Sequence, residues 1–101
     1  MISVNTKKED TTLYVTVEGS LGTADAPEFQ DKLDSELTED IKELVIDMAG
    51  LEYLSSSGLR TLLLATRTVE KQGGEMKVTN VNDEVQYIFK VTGFHDILNI
   101  I

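Results

Sequence analysis

Cysteine is absent from the 101 residues, and histidine occurs once, at His95. A disulfide framework, a thiolate zinc site, a thiol nucleophile and a His-rich metal centre are therefore excluded. Cations are scarce as well, with nine lysines and arginines against eighteen aspartates and glutamates, a formal charge of −9. That is the wrong sign for a chain that gains affinity by neutralising nucleic-acid phosphates or an anionic membrane surface. Long apolar runs are also missing. The opening Met-Ile-Ser-Val-Asn-Thr-Lys-Lys-Glu-Asp turns polar before reaching signal-peptide length, and the longest later run is Leu62 to Ala65. Membrane insertion is thus not expected, and the chain reads as soluble and cytoplasmic.

What is present suffices for one hydrophobic core and not for two, so residues 1–101 are read as a single domain. Leu13, Val15 and Val17 alternate with Tyr14, Thr16 and Glu18, the pattern of a half-buried strand ending near Gly19. Ile2 and Val4 repeat it, with the polar segment 5–11 as the connection between antiparallel neighbours. Asp25-Ala-Pro-Glu28 reads as a helix start, the Asp25 carboxylate accepting an early amide and Pro27 fitting only a first turn. Phe29, Leu33 and Leu37 then recur at helical spacing.

A strand over 41–48 follows, and its unbroken Leu44-Val45-Ile46 predicts a central strand covered on both faces. The segment 49–56 reads as an irregular loop, followed by a helix from about Ser57 to Gln72 that Gly73-Gly74 stops, then a strand over 76–81. Strand, helix, strand is a parallel crossover unit, which puts the 49–56 loop at the carboxyl edge of the sheet, where open α/β folds place their sites. Asn82 caps a last helix through Val91, with Val85, Ile88 and Phe89 inward and Gly93 as its stop; 97–101 adds a short final strand. The fold class is α/β, with a mixed sheet of four to five strands and three or more helices.

Three consecutive hydroxyls, Ser55, Ser56 and Ser57, precede the second helix. One serine there is accounted for by capping, a role that falls to Ser57, adjacent to the helix. The two others exceed what a cap needs. An exposed hydroxyl at a helix N-terminus is a favourable place for a phosphate, because the dipole and the free amides stabilise the added charge of roughly −1.5 to −2.

Along the helix, Leu59, Leu62, Leu63, Thr66 and Val69 form the core face, and Thr61, Leu64, Ala65 and Thr68 lie on the far side. Arg60, Arg67 and Lys71 form a stripe beside them and include both arginines of the chain. Arg67 and Lys71 suit the negative end of the dipole; Arg60 does not, which places it with a phosphate or an acidic partner near Ser56.

These residues resemble a STAS domain, specifically the stand-alone bacterial anti-sigma-factor antagonists. The resemblance rests on Leu51-Glu-Tyr-Leu-Ser-Ser-Ser-Gly-Leu59 after a strand ending in Asp47, on Gly19-Ser-Leu21 with Ala26-Pro-Glu-Phe29, and on Val91-Thr-Gly-Phe94. It implies that phosphorylation falls on Ser56, two positions before the motif glycine, ahead of Ser57 and Ser55. It implies as partners an anti-sigma factor with serine kinase activity, which the bare form binds to free a sigma factor, and a serine phosphatase that restores the bare form. The expected partner surface is Gly22, Thr23, Tyr53, Leu54, Ser55, Ser56, Ser57, Arg60, Thr61, Leu64 and Arg67. Many such proteins carry aspartate where this chain has Ser55 and Gly22, so the chain has less negative charge around the hydroxyl.

An enzyme is disfavoured. There is no Gly-x-Ser-x-Gly elbow, no lysine-bearing phosphate loop, and His95 stands in a segment without a supporting motif, as a partly exposed loop residue. No catalytic residue, metal or cofactor is expected. The alternative is a STAS module that is never phosphorylated and serves as a subunit of a transport or signalling complex.

Overall fold

A computed structural model describes residues 2–101. Strands β1 (Ile2–Glu9) and β2 (Thr12–Leu21) form an antiparallel hairpin paired from Ile2↔Gly19 to Glu9↔Thr12. The tight turn is made by Asp10 in the left-handed region, φ 53°, which aspartate tolerates better than most residues. Most of the expected 5–11 connection is therefore strand. Its polarity marks the exposed side of an edge strand, where charge also discourages pairing with another chain.

Helix α1 (Ala26–Glu36) buries Ala26, Phe29 and Leu33, with Pro27 in its first turn and Leu37 at its end. Strand β3 (Glu43–Asp47) lies between β2 and β5 (Glu75–Thr79), parallel to both, with Leu13↔Leu44 and Ile46↔Val78 in register. Leu44 and Ile46 are fully buried. Val45 is only half-buried, because the far side of the strand, level with Tyr14 and Lys77, is partly open. The expectation that both faces are covered is corrected.

The segment 49–56 is not irregular throughout. Leu51–Leu54 forms strand β4, parallel to the end of β2, with Gly19↔Leu51 and Leu21↔Leu54 as partners. Gly19 makes this possible. Its φ of 95° and the register shift between Gly19 and Ser20 bend β2 away from β3, so that the strand continues to Leu21 beside a new neighbour. The sheet thus has six strands in the order β1-β2-β3-β5-β6, with β4 branching from β2.

Helix α2 (Ser56–Lys71) packs on α1 and β5, and α3 (Asp83–Thr92) packs on β4. The α3 caps are as expected, and the helix runs one residue further than expected, to Thr92. The Asn82 side chain accepts the Val85 amide at 2.9 Å, and Gly93 stops the helix in the left-handed region, φ 83°. Asn82 also donates to the Leu51 carbonyl at 2.6 Å, tying α3 to β4. A single 3-10 turn over Phe94–Asp96 leads to β6 (Asn99–Ile100), parallel to β5. Among the described residues, no helix is long and apolar enough to cross a membrane.

Candidate functional site

Leu21, at the end of β2, accepts the Ser55 amide at 2.9 Å, which fixes where β4 stops and α2 begins. With its amide held there, Ser55 has extended backbone and its hydroxyl oxygen accepts the Gly58 amide at 3.2 Å. The cap is therefore Ser55 and not Ser57, and α2 starts one residue earlier than expected. Ser55 is 5% exposed, and its hydroxyl is engaged as the cap.

Ser56, the first helical residue, is exposed, and Ser57 is half-buried. The Gly58 amide is taken by Ser55 Oγ and the Leu59 amide by the Ser55 carbonyl at 3.0 Å. The amides of Ser56 and Ser57 have no intrahelical carbonyl to reach, so the positive end of the helix remains open at Ser56.

Gly58 is what allows α2 to start this low on the sheet. A Cβ there would lie 2.7 Å from Leu54 Cδ1 and 2.8 Å from Leu21 Cδ2, both on buried side chains. The glycine of the serine motif is thus a packing requirement, and it brings the hydroxyl-bearing turn onto β2 and β4. Leu54, expected on the partner surface, is 2% exposed and belongs to this packing, whereas Tyr53 is 51% exposed.

The faces of α2 also need correction. Thr61 and Ala65 are each 3% exposed on a helix that packs on α1, and Thr61 lines a groove together with Ala26, Pro27 and Gln30 of α1. Thr61 donates to the Ser57 carbonyl at 3.3 Å and forms part of a groove floor rather than a projecting contact. Leu63, expected in the core, is half-buried beside another groove. Leu64 is half-buried, and Arg60 and Arg67 are exposed.

Two open grooves flank the first turns of α2. One, of about 380 Å³, runs between α1 and α2 and includes Thr23, Pro27, Gln30 and Leu64. The other, of about 490 Å³, lies towards the end of α3 and includes Ser56, Leu63, Thr92 and Phe94. Ser57 and Arg60 border both. Thr92 and Phe94 escaped the sequence reading as site residues, although Val91-Thr-Gly-Phe94 was among the segments that carried the resemblance. His95, in the 3-10 turn, is exposed and lines neither groove.

Asp25 does not cap α1. Its backbone is helical, φ −88° and ψ −21°, and its carboxylate turns back to accept the Gly22 amide at 3.1 Å, while the Gly22 carbonyl accepts the amides of Asp25 and Ala26. Gly22 is half-buried and Thr23 exposed. A Cβ on Gly22 would stand 3.3 Å from that carboxylate, a tight contact, and Asp25 is the one acidic residue of the 22–25 loop.

A β2 end bent onto a short fourth strand, with a serine cap presenting a second serine at the start of α2, defines an α/β domain with one mixed six-stranded sheet. The chain belongs to the STAS domain family, which matches over residues 3–101, and to its anti-sigma factor antagonists. It is 30% identical over 99 residues to the anti-sigma-B factor antagonist of Bacillus subtilis, covering 98% of this chain and 90% of that protein. An anti-sigma factor antagonist from Mycobacterium paratuberculosis has a similar fold, with TM-score 0.87 and 22% identity over 99% of this chain and 85% of that one. So does Bacillus SpoIIAA in the phosphorylated form, with TM-score 0.76 and 15% identity over 98% of this chain and 91% of that one.

Proposed function

We propose that the chain is a phosphorylation-controlled antagonist whose bare form binds an anti-sigma factor with serine kinase activity, in the bacterial cytoplasm, and so frees a sigma factor. The observation that carries this is the division of labour between two adjacent serines: Ser55 buried as the cap, Ser56 exposed at the helix start. Transfer of the terminal phosphoryl group of ATP to Ser56 forms an Oγ–P bond, releases ADP and gives up the hydroxyl proton. The product places close to two negative charges where a partner fitted to a neutral serine must desolvate or repel them. The helix N-terminus stabilises that charge, so the modification alters recognition without unfolding the domain. A serine phosphatase resets the surface.

The neutral Ser55 and Gly22 favour a second reading, an unmodified STAS subunit of a transport or signalling complex. Intact mass after incubation with the kinase and ATP separates the two. One added phosphate that disappears in Ser56→Ala supports the switch, and no transfer supports the constitutive subunit.

A further inference from the structure

In a chain of net charge −9, the guanidinium of Arg60 is in no ion pair among the described residues. It is also the one charged side chain among those lining either groove beside α2. The one acidic group of the neighbouring 22–25 loop, Asp25, accepts the Gly22 amide. Arg60 is the fifth residue of α2 and exposed, eleven residues from the C-terminal end that favours cations, so its own helix gives it no stabilisation there. Residues four apart on a helix have Cβ atoms about 5–6 Å from each other on one face, and an acid preceding a base at that spacing is the favourable order. Ser56 and Arg60 have this spacing and share the groove towards α3.

We propose that Arg60 is the internal counter-ion of phosphorylated Ser56, folding back one turn to pair with the phosphate and leaving the partner-facing surface as it does so. The proposal rests on Ser56 being the modified hydroxyl and adds how the modified state is built. Phosphorylation then changes two features at once. A dianion appears, and a free guanidinium, available to an acidic group on a partner while Ser56 is bare, is taken up. The phosphate gains fork-shaped hydrogen bonding that a lysine would supply less well.

The test uses the full chain with phosphoserine installed co-translationally at position 56, so that it does not depend on any kinase. Phosphorus NMR follows the second ionisation of the phosphate in the otherwise wild-type chain, Arg60→Gln, Arg60→Lys and Arg67→Gln. Capture by Arg60 predicts a midpoint about 0.3 unit or more lower in the wild type than in Arg60→Gln, shrinking in ~1 M salt. Arg60→Lys should fall between them, and Arg67→Gln should match the wild type. Equal midpoints in the wild type and Arg60→Gln would overturn the proposal, as would an equal effect of Arg67→Gln. Arg60 is exposed, so its variants keep the fold, and unchanged thermal midpoints of the unphosphorylated forms check this. Absence of kinase transfer to Ser56 would sink the proposed function while leaving the installed phosphate able to report on Arg60.

Discussion

Ser55 Oγ accepts the Gly58 amide at 3.2 Å, and this one hydrogen bond decides which serine of three is structural. Removing it tests the assignment. Ser55→Ala should lower stability by about 1 kcal/mol, seen as a drop of several degrees in thermal midpoint, and Ser55→Asp should restore most of it, since aspartate caps equally well. Ser57→Ala should leave the midpoint nearly where it is. A larger loss for Ser57→Ala than for Ser55→Ala would return the cap to Ser57.

The proposed switch requires Ser56 to act in recognition and not in stability. Ser56→Asp is expected to weaken binding to the anti-sigma partner at least tenfold in a calorimetric titration, with the thermal midpoint unchanged or slightly raised by the favourable dipole. Equal affinity of Ser56→Asp and the wild type would count against the phosphorylation switch.

Gly58→Ala sets two effects against each other. Alanine gains about 1 kcal/mol of helix propensity over glycine. Its Cβ, 2.7 Å from Leu54 Cδ1 and 2.8 Å from Leu21 Cδ2, forces an overpacked core that costs about 1–3 kcal/mol. The packing term should win, giving a net loss of up to about 2 kcal/mol in urea unfolding and displaced Leu21 and Leu54 methyl resonances.

Leu64→Glu should reduce partner binding by at least an order of magnitude while moving the thermal midpoint by only a few degrees, because Leu64 is half-buried at a groove rim. Unfolding of this variant would show that Leu64 belongs to the core.

Acid sensitivity should localise at the other end of the sheet. Lys8 Nζ lies 2.6 Å from Asp40 Oδ2, and hydrogen bonds from Lys8 and the Thr38 hydroxyl hold the Asp40 carboxyl down at about 2, against an ordinary 3.8. A depressed carboxylate contributes stability above its unfolded value and loses it as pH falls towards the folded one. Thermal melts of the wild type and Asp40→Asn should therefore differ most above pH ~4 and converge towards pH ~2. A difference that stays constant across this range would contradict the pairing.

The sequence exposed some of this design and hid the rest, for local reasons. Asn82 and Gly93 were legible because a cap and a left-handed stop are properties of a few adjacent residues. The cap of α2 was not, because three equal serines stand in a row and the choice among them depends on the Leu21 carbonyl taking the Ser55 amide, a contact across the sheet. Strand β4 was hidden because its burial does not alternate: Leu51 and Leu54 are buried, with two exposed residues between them. The roles of Thr61 and Ala65 depended on where α1 lies, which helical periodicity on α2 alone does not specify. Ser56, the hydroxyl singled out by its distance from the motif glycine, is exposed.

The bend at Gly19 leaves the serine platform fastened to the sheet through a spur of only three paired positions, Gly19↔Leu51, Ser20↔Tyr53 and Leu21↔Leu54. The rest of its anchorage is side-chain packing, of α2 on α1 and β5 and of α3 on β4. The turn that presents Ser56 is thus held to the domain more by buried side chains than by a continuous ladder of backbone hydrogen bonds.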